Sequence, residues 1–150
     1  MQYIKFNLDD FRYLLSISDV VEIIPYIKLT GIPGAPEYLA GLCNYRGVSV
    51  PVIDLCRLFL GRPCSSKLST RIIIHEAVNR GTEKKMIGFM VEKATEIIKV
   101  GEDCFMEAGV YGEDMPYVGP VMADRQGLIS RIMPNEIFSK LDKNILFQTV

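Results

Sequence analysis

Four kinds of side chain in this 150-residue sequence could carry chemistry: one histidine, four cysteines, adjacent acidic pairs and an arginine set among turn residues. His75 lies in the run Ile72-Ile73-Ile74-His75-Glu76 and shares a strand face with Ile73. It therefore reads as a partly exposed strand histidine rather than a general base. Cysteines stand at 43, 56, 64 and 104, with no C-x-x-C pair and no histidine beside them. They read as free thiols in a reducing cytoplasm, because a zinc site would have to gather a Cys3His set from scattered positions. Asp9-Asp10 and Glu113-Asp114 fall in turn-forming stretches, where solvation and turn chemistry explain them better than acid–base work. No G-x-S-x-G, Walker-type or G-x-G-x-x-G loop occurs. Arg46 differs from all of these. It sits in Asn44-Tyr45-Arg46-Gly47 between two strand-like runs, and no core buries a guanidinium unpaired. That is recognition chemistry without a catalytic group.

The elements that must position Arg46 are legible around it. Leu39 to Tyr45 and Val48 to Ile53 read as the two strands of a hairpin, with Gly47 where a positive φ is easiest. The second strand alternates, with Val48, Val50 and Val52 on one face and Ser49, Pro51 and Ile53 on the other. Pro51 has no N–H to donate, which predicts a sheet edge or a bulge. Asp54 is placed to cap a short helix from Leu55 to Leu60, stopped by Gly61.

Elsewhere strand signals dominate. Tyr3 to Leu8 and Arg12 to Ile17 predict a hairpin, and Val20 to Tyr26 a third strand. Polar residues 61–69 read as a connector. Thr70 to Val78, Met86 to Val91 and Ala94 to Val100 continue the strands, with a charged turn over 79–85. The glycine-rich, acidic segment 101–116 is the expected mobile loop. Tyr117 to Met122 and Leu128 to Met133 predict a last hairpin, and Pro134 opens a C-terminal helix, Asn135 to Leu141. Many short strands with regular turns point to an all-β, small-barrel architecture, and pattern alone leaves one barrel or two open.

Composition agrees with a soluble globular chain: 49% hydrophobic, 23% charged, net charge −1. Near neutrality argues against nucleic acid as a partner. No apolar run approaches a membrane span, and Lys5, Asp9, Asp10 and Arg12 interrupt any signal-peptide core, so the expected location is the cytoplasm.

The stretch from Gly41 to Leu55 also resembles the CheW family, the adaptors that join chemoreceptors to the histidine kinase of bacterial chemosensory arrays. In that family an asparagine, any residue, arginine and glycine precede a proline-containing strand that closes on Asp-Leu. The matching residues are Asn44, Arg46, Gly47, Pro51, Asp54 and Leu55. Further segments follow in the family's order: Val20-Glu22-Ile23-Ile24, Ile32-Pro33, Ala35-Pro36, Arg71 to Ile74, Gly88 to Glu92 and Glu96 to Ile98. The resemblance implies one CheW-like domain over 1–150: two small five-stranded SH3-like barrels sharing a core, with short helices and a C-terminal helix.

It also implies two docking surfaces. Receptor contact in the family follows a groove between barrels, matched by Val20, Glu22, Arg46, Ala94 and Ile97. The residues taken alone place Val20 and Ile97 in a core instead. Kinase contact in the family is barrel on barrel, which implicates Ser49, Pro51, Ile53 and Leu58, with Leu55 and Phe59 nearby. The partners implied are a methyl-accepting chemotaxis receptor and a CheA-type histidine kinase, with no cofactor, metal or catalysis. Two departures stand out: Val91-Glu92-Lys93-Ala94 where Val-Asp-x-Val is common, and Arg131-Ile132-Met133-Pro134 where a Leu-Asp step is common. Segments 60–74 and 115–132 resemble adaptors of Wsp-type surface-sensing systems, whose kinase drives a diguanylate cyclase response regulator. Two rival classes remain at this point: a barrel that binds a small molecule or peptide, and a barrel enzyme using Glu107 or Glu113 on the acidic loop.

Overall fold

The computed structural model describes residues 1–78, 84–94, 96–110 and 119–141. The chain forms two compact units, Met1–Ser18 with Thr95–Val150, and Asp19–Ala94. Each contains one five-stranded sheet, and the fold is all-β.

In the first unit, β1 (Gln2–Leu8) and β2 (Phe11–Ser16) form the expected hairpin, with Leu8 opposite Phe11. The sheet of the second unit begins with β3 (Val20–Pro25), β4 (Leu39–Tyr45) and β5 (Val48–Asp54), followed by α1 (Leu55–Leu60). It is completed by β6 (Arg71–Val78) and β7 (Lys84–Val91). The chain then returns to the first unit as β8 (Glu96–Lys99), β9 (Val121–Asp124), β10 (Gly127–Arg131) and α2 (Pro134–Lys140).

The first sheet runs β8-β1-β2-β10-β9. Tyr3, Leu14 and Ile129 form a core cluster there, with Ile98, Val100, Phe105 and Met122 packed around it. A parallel step joins β2 to β10, Ser130 opposite Tyr13, which no local turn signal announces. Arg12 grips both Asp124 carboxylate oxygens at 2.6 and 2.8 Å, tying β2 to the β9–β10 hairpin and holding the Asp124 carboxyl down to about 2. That hairpin is tighter than expected. Asp124 pairs with Gly127 and only Arg125-Gln126 turn, because the Asp124 side chain accepts the Gln126 N–H at 2.8 Å. The start of the expected strand at Tyr117 lies outside the described residues, as do 79–83 of the charged turn and 111–116 of the acidic loop.

The second sheet runs β3-β6-β7-β5-β4. Its inner face packs Cys43, Tyr45, Val50, Val52, Ile72, Ile74 and Met90. Helix α1 forms as the sequence predicts: Asp54 Oδ1 accepts the Arg57 N–H at 3.1 Å, and Gly61 ends the helix at φ 75°. Pro51 corrects one expectation, since β5 lies between β4 and β7 and is not an edge. The proline is tolerated for a local reason. Leu42 exchanges both backbone hydrogen bonds with Thr30, so the Leu42–Pro51 pair is non-hydrogen-bonded and the Pro51 nitrogen points toward β7. The parallel ladder to β7 starts only at Val52, opposite Gly88, so no N–H is required one residue earlier. Gly41 is obligatory in the neighbouring strand β4: at φ 149°, a Cβ there would run into the Thr30 carbonyl.

Candidate functional site

The β4–β5 hairpin turns on two residues, with Tyr45 opposite Val48. Arg46 at φ 50° and Gly47 at φ 83° are both left-handed, the signature of a type I′ turn. Asn44 supports it by accepting the Gly47 N–H on Oδ1 at 2.9 Å. Glycine meets the second position without cost. Arginine at the first costs on the order of 1 kcal/mol of backbone energy, so the surroundings must hold it there.

They do so through Glu22. The β3 strand carries an irregularity, Val20 opposite His75 and Glu22 opposite Ile74, which leaves Val21 as an extra, exposed residue. Glu22 Oε1 then accepts from two donors, Arg46 Nη2 at 2.8 Å and the Tyr45 hydroxyl at 2.8 Å. The Arg46 guanidinium also lies 5.3 Å from the Tyr45 ring centroid. The hydrogen bond to Glu22, together with burial, pushes the Tyr45 phenol up and keeps it a neutral donor. Arg46 is still 76% exposed, so the guanidinium is aimed by its neighbours while its remaining N–H groups face water. An exposed ion pair stabilises a fold by no more than about 1 kcal/mol. Three residues fixing one exposed arginine is thus better explained by presentation than by stability.

The structure brings together Glu22 and Arg46 among the residues implicated in receptor contact, and adds Tyr45, which sequence reasoning missed. The signal for Tyr45 was slight: a tyrosine one residue before the turn arginine, 23 positions from its acceptor. Val20 lies half-buried at the start of β3, opposite His75. Ala94, half-buried, follows β7 and donates its N–H to the Ser69 carbonyl. Ile97 belongs to the other unit, opposite Ile4 on β8, and is 53% exposed, which overturns its placement in a core.

On the second surface, Ser49 is exposed and Pro51 and Leu58 are half-buried. Ile53 is corrected: it is 0% exposed, beside Phe89 on β7, and offers no contact surface. Alternation put it on the Ser49 face, but at this end of β5 both faces are covered, since Val52 is also 0% exposed. Leu55 is interior for the same reason. His75 is likewise corrected from partly exposed to buried. Its ring packs edge-on against Phe89, 5.7 Å between centroids, and burial pushes its pKa down.

The residues that anchor the connector escaped sequence reasoning. Glu92, 7% exposed, accepts from Arg62 at 2.9 and 3.1 Å and from the Ser65 N–H at 2.6 Å. Arg62 and its hydrogen bonds hold the Glu92 carboxyl down to about 2. This fork pins segment 61–70 against the end of β7.

The CheW-like domain family matches residues 2–141. The chain belongs to the CheW family. A probable chemotaxis protein CheW of Rhizobium etli is 25% identical over 143 residues, covering 94% of this chain and 89% of that one. The chemotaxis protein CheW of Bacillus subtilis is 30% identical over 139 residues, covering 91% and 86%. The crystal structure of the scaffolding protein TtCheW from Thermoanaerobacter tengcongensis superimposes with a TM-score of 0.75 at 28% identity, covering 88% of this chain and 83% of that one. The CheW-like assignment covers both sheets and the Arg46 turn together. Among the described residues no helix is long and apolar enough to cross a membrane.

Proposed function

We propose that this chain is a non-enzymatic cytoplasmic adaptor. As one CheW-like domain, it couples a methyl-accepting chemotaxis receptor to a CheA-type histidine kinase in a bacterial chemosensory array. The observation that carries this reading is the aimed, water-facing Arg46 held by Glu22 and Tyr45 in a CheW-family chain. Arg46, Glu22, Val20, Ala94 and Ile97 are assigned to the receptor. Ser49, Pro51 and Leu58 are assigned to the kinase, with Ile53 withdrawn because it is interior. Such a protein acts by position. Two partner sites on one chain convert the second encounter into an intramolecular one and raise the local concentration of kinase at the receptor. Signal then passes as a population shift of the joint assembly. The resemblance of segments 60–74 and 115–132 supports the Wsp-type branch, in which the output is cyclic-dinucleotide synthesis.

Co-sedimentation tests the bridging. Kinase should pellet with receptor-bearing membranes only when this protein is added, and kinase that pellets equally well without it refutes the proposal. Ser49→Arg tests the second surface. Ser49 is exposed, so the added charge stays in water and stability should change by no more than about 0.5 kcal/mol. Kinase affinity should fall tenfold or more, about 1.4 kcal/mol, with receptor binding retained. A lowered melting temperature, or unchanged kinase affinity by calorimetry, removes this face from the assignment.

A further inference from the structure

In the Asp19–Ala94 unit, apart from the Arg46 cluster, a carboxylate oxygen of Asp54 and the sulfurs of Cys56 and Cys64 lie within 4.8 Å of one another. Asp54 is already committed: Oδ1 accepts the Arg57 N–H at 3.1 Å and Oδ2 the Cys64 N–H at 2.9 Å. The carboxylate thus caps α1 and fastens the connector, and the two thiols remain. Cys64 Sγ donates to Cys56 Sγ at 2.8 Å and faces the Met90 carbonyl at 3.5 Å. The pair is asymmetric. Cys56 is 0% exposed on α1, while Cys64 is partly exposed and lines a surface pocket of about 350 Å³ with Tyr26, Glu37, Arg57 and Pro63. A small oxidant entering this pocket meets Cys64 first and has Cys56 in contact behind it. That is the placement of an attacked thiol and its resolving partner.

We propose that Cys56 and Cys64 form a reversible dithiol–disulfide modification site, oxidised by hydrogen peroxide. Cys64 sulfur attacks one peroxide oxygen, the O–O bond breaks, and water leaves with the thiol proton, giving a sulfenic acid. Cys56 sulfur then attacks Cys64 sulfur, the S–S bond forms, the S–O bond breaks, and a second water leaves. The two thiols lose two electrons and two protons, and the peroxide gains them. The hydrogen bond to Cys56, burial and the Asp54 carboxylate push the Cys64 thiol up, so little thiolate is present at neutral pH. Reaction is therefore slow, and the reduced pair persists until oxidant accumulates. The crosslink joins residues eight apart and fixes α1 to the connector.

The test uses the full chain carrying Cys104→Ser, because Cys104 is exposed and would crosslink separate molecules. After hydrogen peroxide treatment under native conditions, denaturation, maleimide alkylation and proteolysis, mass spectrometry should find a peptide pair linked through Cys56 and Cys64. The chain should have lost two hydrogens and regained them with dithiothreitol, with Cys43 alkylated throughout. Cys56→Ser should stop at a dimedone-reactive sulfenic acid on Cys64, and Cys64→Ser should leave Cys56 alkylatable. Recovery of both thiols alkylated after peroxide treatment overturns the proposal. So does over-oxidation of Cys64 to the sulfinic acid without a crosslink, or stoichiometric zinc in the purified protein that shields both thiols.

Discussion

Arg62→Ala lowers the stability of the Asp19–Ala94 unit by about 2–3 kcal/mol at neutral pH. The loss follows from what remains: a Glu92 carboxylate that is 7% exposed, with its guanidinium fork gone and the Ser65 N–H as a retained donor. Removing one partner of a fully buried pair costs about 3–5 kcal/mol, and the partial exposure of Arg62 reduces that here. In a chain of this size the melting temperature should fall by roughly 5–10 °C. The acid limb gives an independent check. Glu92 has its carboxyl at about 2 when folded and near 4.5 when unfolded, so the pair's contribution is complete above the unfolded value. It is lost as pH falls from there toward 2, and Arg62→Ala should flatten the wild-type decline across that window. Arg62→Lys, which keeps charge but not the bidentate geometry, should fall between the two. Equal melting temperatures and equal acid slopes for wild type and Arg62→Ala would contradict the assignment.

Arg46→Glu should abolish receptor coupling and leave a folded protein. The substitution faces a carboxylate toward Glu22 Oε1, which now lies 2.8 Å from the guanidinium, and replaces the aimed donor with an acceptor. Because Arg46 is 76% exposed, the folding cost should stay at or below about 1 kcal/mol. At a central contact, charge reversal costs binding about 2 kcal/mol or more, roughly a thirtyfold loss of affinity. The double change Glu22→Arg with Arg46→Glu restores the internal pair but not the presented guanidinium, so it should remain defective in receptor binding. Pulldown with a receptor cytoplasmic fragment reads both variants. Undiminished association by Arg46→Glu would sink the receptor assignment.

Much of the fold was legible because its signals are local. Asp54 and Gly61 bracket α1, Pro134 opens α2, and alternation marks the hairpins, each within a few residues of its cause. The parallel steps β5–β7 and β2–β10 were not legible, since they join segments roughly 36 and 117 positions apart with no turn between them. Alternation also cannot say whether a strand's second face is covered, which is why Ile53 was placed on a surface it does not reach. At the candidate site, the turn chemistry marked Arg46, while its support by Glu22 and Tyr45 needed the β3 irregularity that sets Glu22 within reach. Glu92 stood out only as a departure from a Val-Asp-x-Val step, and Arg62 only as one polar residue of the connector. Their pairing across thirty residues is a tertiary fact.

The adaptor account is tested most directly by the rate of kinase autophosphorylation in a reconstituted mixture of receptor membranes and CheA-type kinase. Adding this protein should raise the receptor-dependent rate at least tenfold, with the gain lost in Arg46→Glu and in Ser49→Arg. A rate equally high without the protein, or equally stimulated by both variants, would contradict the account.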